Sequence, residues 1–206
     1  MAALGNLQDL VNQLYSEILF HPNHELTPNQ RLQVYEAINQ MAGEYRSKVR
    51  GRLELITAQK ISSCWEKVWF NNTMMRDMLK TAELMLQGAL DPDVACLKAN
   101  HERLRLEQIC TGEFTLDESS ACSAGEAVIE AVFTIGGVDP FDGVVVDDKV
   151  TDDDLDPWCS DTARWALRAY IKSFPDSDGY QARKLEFWEW WLHHAIPRAW
   201  EMEYKP

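Results

Sequence analysis

Residues 117–137 read DESSACSAGEAVIEAVFTIGG. The stretch is rich in alanine, carries Val128, Ile129, Val132 and Phe133, and closes on Gly136-Gly137. Apolar residues at helical steps with a glycine just past the last of them read as one helix with a C-terminal stop. The small side chains predict that this helix is tightly packed.

The same period continues upstream. Asp91-Pro92 joins a capping side chain to a ring that pre-sets the first helical turn. Val94, Leu97, Leu104 and Leu106 carry that helix to about Cys110, where Thr111-Gly112 ends it. Asn71-Asn72-Thr73 caps a segment with Met75, Met78, Leu79, Ala82, Met85 and Leu86 on one face, stopping at Gly88. Thr27-Pro28 repeats the cap-plus-proline device, and Leu32, Tyr35, Ile38, Val49, Leu53, Ile56 and Val68 follow it. They predict a kinked pair of helices, interrupted near Gly43 or Gly51 and ending by Phe70. Leu7, Leu10, Val11, Leu14 and Ile18 form a first helix, broken by Pro22.

Downstream, Phe141 to Val146 is strand-like but has no second strand to pair with, so an extended loop is expected. Asp156-Pro157 predicts the start of a helix carrying Trp158, Trp165, Leu167 and Tyr170. After a turn at Phe174 to Gly179, a last helix holds Phe187, Trp188, Trp191 and Leu192 and is broken at Pro197. The expectation is all-α: one domain over 1–206, a bundle of about seven helices with one acidic loop and no repeat at solenoid spacing.

With 206 residues, 46% of them hydrophobic, the chain can bury a core without staples. No run approaches the roughly 18 to 20 apolar residues of a membrane span, and the N-terminus lacks a signal peptide's basic start and apolar centre. A cytoplasmic location is expected. Cys64, Cys96, Cys110, Cys122 and Cys159 form no CxxC pair and lie near no histidine at ligand spacing, so they read as reduced, mostly buried residues. A formal charge of -13 argues against nucleic acid and anionic membranes, which need clustered cations. Its natural complement is a basic protein.

The densest charge feature is Asp147, Asp148, Asp152, Asp153, Asp154 and Asp156, offset only by Lys149. Counted from Asp152, positions 1, 3 and 5 of a calcium loop match, but Pro157 replaces the required glycine and Ala163 the bidentate glutamate. A paired-aspartate magnesium site fails at Thr151. No metal or cofactor is therefore expected. The stretch reads either as a solvated lead-in to a helix N-terminus or as a surface that steers a basic partner. Adjacent His193 and His194 point about 100° apart on a helix and cannot share a metal as an i, i+4 pair would. No GxSxG, P-loop or GxGxxG is present, which favours binding over catalysis. Trp65 with Trp69, Trp158 with Trp165, and Trp188 with Trp191 fall at core spacings. Trp190 lies off that face and is the candidate for exposure at an interface.

Three segments together resemble a helical family of bacterial immunity proteins found in polymorphic toxin systems. They are CWEKVW at 64–69 with Thr57-Ala58 before it, DDDLDPW at 152–158 with Asp161-Thr162, and KLEFWEWWL at 184–192 with Ala195-Ile196-Pro197 and Ala199-Trp200. The resemblance runs over about residues 50 to 200 and implies an α-helical cytosolic antidote that binds the toxin encoded beside it. It transfers no catalytic residue. Toxin binding is thus expected at Asp147, Asp148, Asp152, Asp153, Asp154, Asp156, Trp158 and Trp190. The rivals are a metal-dependent helical-bundle enzyme built on the acidic stretch, and a helical adaptor.

Overall fold

The structure, a computed structural model, describes residues 2–156, 159–175 and 177–201, with side chains from residue 6. Helices α1 (Ala2–Phe20), α2 (Pro28–Ala42), α3 (Arg46–Val68), α4 (Met74–Leu86), α5 (Pro92–Ile109), α6 (Leu116–Ile135), α7 (Thr162–Ile171), α8 (Tyr180–Trp190) and α9 (Ile196–Glu201) follow in order. With α2–α3 and α8–α9 each counted as one rod, seven helical rods and no strand occur among the described residues. The all-α reading is therefore correct.

The alanine-rich segment is the centre of the fold. Helix α6 packs against α3, α4, α5 and α7, and its residues from Ser120 to Val132 are almost all buried. Ala121, Ala124, Ala127 and Ala131 let the neighbouring axes approach. Gly125 takes this furthest: a Cβ there would stand 2.9 Å from both methyls of Leu106 and 3.2 Å from the Trp65 ring. Capping boxes at Thr27 with Gln30 and at Thr115 with Glu118 fix the starts of α2 and α6. The kink between α2 and α3 falls at Gly43, whose φ of 54° is strained for other residues, while Gly51 lies inside α3. Buried apolar residues from Leu7 to Trp200 form one cluster, with Trp65, Trp188 and Trp191 among its largest fully enclosed side chains.

Two expectations about the helices are corrected. Helix α7 does not begin at Asp156-Pro157: its cap is Asp161, whose carboxylate accepts from the Arg164 N–H at 2.9 Å. Trp158, expected on that helix, lies outside the described residues. Pro197 does not break the last helix. A π turn at Trp191–Ala195, in which the Ile196 N–H donates to the Trp191 carbonyl, widens the backbone and leads Pro197 into the first turn of α9.

The cysteines are not all reduced. Cys110 and Cys122 form a disulfide, because the turn after α5 brings the end of that helix against the second turn of α6, with Cα atoms 6.1 Å apart. Cys64, Cys96 and Cys159 are free and half-buried. The bond closes a loop of 12 residues' separation, so Cys110→Ala with Cys122→Ala should cost about 3 kcal/mol by the loop-entropy relation. Urea unfolding with and without reductant checks this, and coincident midpoints would contradict it.

Candidate functional site

The acidic stretch belongs to the long segment between α6 and α7, and buried residues hold it to the bundle. Pro140, Phe141 and Leu155 insert into the core, and the Phe141 ring lies 6.3 Å from Tyr35 on α2. The main fastening is Arg31, also on α2 and fully buried. Its guanidinium donates to both oxygens of Asp152, at 2.6 and 3.1 Å, to Asp161 at 2.8 Å and to the Leu26 carbonyl at 2.8 Å. Burial alone would lower the Arg31 pKa, but Asp152 and Asp161 more than reverse that, so it stays charged. Asn29, two residues before Arg31 in the first turn of α2, donates to Asp148 at 2.6 Å. Both contacts bring carboxylates towards the first turns of α2, where the helix dipole favours negative charge.

The fastening continues inward. Asp161 also accepts from the Tyr35 hydroxyl at 2.9 Å. The Arg50 guanidinium lies 3.4 Å from the Tyr35 ring centroid and donates to Glu54 at 2.7 Å. Burial, then Asp161 and Glu54, raise the Tyr35 pKa well above its usual value, so it remains a neutral donor. On the solvent side, Arg164 donates to Ser160 at 2.9 Å and lies 3.7 Å from Asp152 and from Asp153. Burial lowers its pKa, partly offset by Asp152.

The six aspartates therefore divide. Asp152 turns inward as an anchor, whereas Asp147, Asp148, Asp153, Asp154 and Asp156 are exposed. Asp154 accepts from the Thr151 hydroxyl and N–H, which hold its carboxyl below the usual range. Val145, two residues before Asp147, is 88% exposed. Trp190 is elsewhere, half-buried on α8, with its ring 5.7 Å from Phe187 and 4.9 Å from the Lys60 ammonium. Trp190 with Ile56, His193, His194 and Arg198 lines a groove of about 490 Å³. His193 packs edge-on against Tyr15 at 4.8 Å while His194 is exposed, so the pair faces different surroundings. Among the described residues no group of three or more His, Cys, Asp or Glu side chains is arranged to hold a metal ion.

A family model described as "Immunity protein Imm5" matches residues 11–198. The chain belongs to the Imm5 family. The match takes in Arg31, the whole acidic segment and the C-terminal rod of this Imm5 chain as far as Arg198, so the resemblance to an immunity protein family is correct. The search of curated proteins finds no match. Among the described residues no helix of the Imm5 chain is long and apolar enough to cross a membrane.

Arg31 and the groups it gathers escape a reading of local motifs, because residues 31, 152 and 161 meet only in the fold. A second such interior pair lies between α5 and α6, where Arg103 bonds to Glu130 and stands 3.5 Å from Glu126. Burial, with a further push from Glu126, raises the Glu130 carboxyl to about 7 despite Arg103. Its folded pKa exceeds its unfolded one, so the folded chain binds the extra proton between about pH 4.5 and 7. The contribution of Glu130 to stability therefore falls as pH rises through that window. The thermal midpoint of Glu130→Gln should change less between pH 5.5 and 7.5 than that of the parent. Identical slopes would contradict this.

Proposed function

We propose that this Imm5 chain neutralises a cognate toxin by binding a basic surface of it through the acidic segment. The observation that carries this reading is the fastening itself: a run of exposed aspartates, preceded by an 88% exposed valine, is held in place by a fully buried arginine. An exposed apolar side chain next to a run of like charges suits an interface that joins an apolar contact to a charged rim. A preorganised negative surface speeds encounter with a positive one, and its contacts need not be ordered during binding. The surface comprises Asp147, Asp148, Val145, Asp153, Asp154 and Asp156, with Asp152 as its internal anchor. Trp158 and Trp190 are proposed as aromatic contacts.

Membership of an immunity family supports inhibition by association rather than catalysis. The chain would act in the cytoplasm of the cell that makes the toxin. The test is protection: cells expressing the toxin gene beside this one should survive when the chain is co-expressed. Death at equal toxin expression with soluble chain present would refute the reading. Trp190→Ala should speed dissociation from the toxin about thirtyfold, corresponding to about 2 kcal/mol. An unchanged dissociation rate in surface-immobilised kinetics would remove Trp190 from the interface.

A further inference from the structure

On a chain of charge -13, one cleft is lined by cations. It lies where the start of α3 meets the end of α6, has a volume of about 280 Å³, and is bordered by Asn39, Arg46, Ser47, Arg50, Thr134 and Asp139 among others. Arg46 and Ser47 open α3, which has no acidic residue in its first turn. Cations at a helix N-terminus oppose the dipole and an i, i+4 pair of arginines repels itself; Glu54 and Asp139 offset part of the Arg50 charge, and a further anion would relieve the repulsion between the pair.

A second observation is independent of the helix end. Arg50 is only 6% exposed, yet its Nη2 has no hydrogen-bond partner, although its Nε is held by Glu54. The hydroxyl of Thr134, on the α6 side of the cleft, is likewise buried without a partner. Buried donors are nearly always satisfied, and a charged one left unpaired is the more costly case. The exposed carboxylate of Asp139 is the one acid at the rim among these residues.

We propose that this cleft binds a small oxyanion, gripped by Arg46 at the rim and Arg50 at the floor, with Ser47 and Thr134 as hydroxyl donors. Charge-assisted bonds from two guanidiniums at a helix N-terminus suit either a phosphoryl or a carboxylate group. The cleft contains none of the aspartates of the acidic segment, although Arg50 also touches Tyr35 in the network that fastens that segment, and anion binding here does not require the toxin.

The experiment titrates the full chain with inorganic phosphate and, separately, with succinate, at constant pH and ionic strength, reading the Arg50 Nε–H and Ser47 amide resonances. Saturable shifts are expected with at least one probe, and the tighter probe identifies the group as phosphoryl or carboxylate. Arg46→Gln, an exposed position that should fold normally, should weaken that binding by about tenfold. Arg76→Gln, exposed on α4 outside the cleft, should leave it unchanged. The proposal is overturned if neither probe gives a saturable response, if sodium chloride reproduces it, or if Arg46→Gln binds as tightly as the parent.

Discussion

Arg31→Met is expected to destabilise the chain by about 3–5 kcal/mol, the usual cost of removing one member of a buried ion pair. The substitution keeps much of the apolar stem but leaves Asp161, 1% exposed, without its cation, and releases Asp152 and the Leu26 carbonyl together. Asp161 is also the cap of α7 and the acceptor of Tyr35, so the disturbance reaches α2, α7 and the acidic segment at once. Arg31→Lys should fall between, because a single ammonium cannot reproduce the fork that bonds both Asp152 oxygens. Urea unfolding gives the magnitude. Limited proteolysis gives the location: in Arg31→Met, cleavage within residues 147–156 should accelerate before global unfolding. A loss below 1 kcal/mol, or no new cleavage in that segment, would show that Pro140, Phe141, Leu155 and the Asn29–Asp148 bond hold the segment without Arg31.

The second large effect is kinetic. Asp147→Asn, Asp148→Asn and Asp153→Asn together should slow association with the toxin by about tenfold or more at low salt and flatten its salt dependence. All three side chains are exposed, and exposed charges contribute little to folding, so thermal stability should barely move. Asp152 is left intact because its loss would act through Arg31 on the fold. The five-aspartate surface predicts that association, rather than dissociation, carries the change. Equal association rates for parent and variant at both low and high salt would reduce the segment to a solvated loop.

How much of this was legible in the sequence depends on how local each signal is. Helices with a regular apolar stripe and a nearby cap, such as α2 behind Thr27-Pro28 and α5 behind Asp91-Pro92, are fixed by contacts within a few residues, and their starts match the structure. The α7 start was misplaced because Asp156 and Asp161 both stand ahead of the same apolar run, and only the tertiary bond of Asp161 to Arg31 selects between them. The π turn was hidden for a similar reason: a proline normally marks a stop, and the widened turn that accommodates it has no composition of its own.

The acidic run was visible as a charge pattern, but the inward turn of Asp152 was not, since nothing in its neighbours distinguishes it from Asp153. One clue was present. Arg31, Tyr35 and Ile38 share one helical face, and a cation on an apolar stripe signals a buried partner. The sequence does not say which of many aspartates that partner is. The disulfide was equally non-local, joining cysteines brought together by a helix turn rather than by a short motif.

The most direct test of the central claim is calorimetric titration of the purified chain with the toxin domain encoded by the neighbouring gene, at low and at high salt. The account predicts a saturable one-to-one complex that weakens as salt rises, with toxin activity lost in proportion to the complex formed. No detectable complex at micromolar concentrations in low salt, with the toxin active and the chain folded, would contradict it.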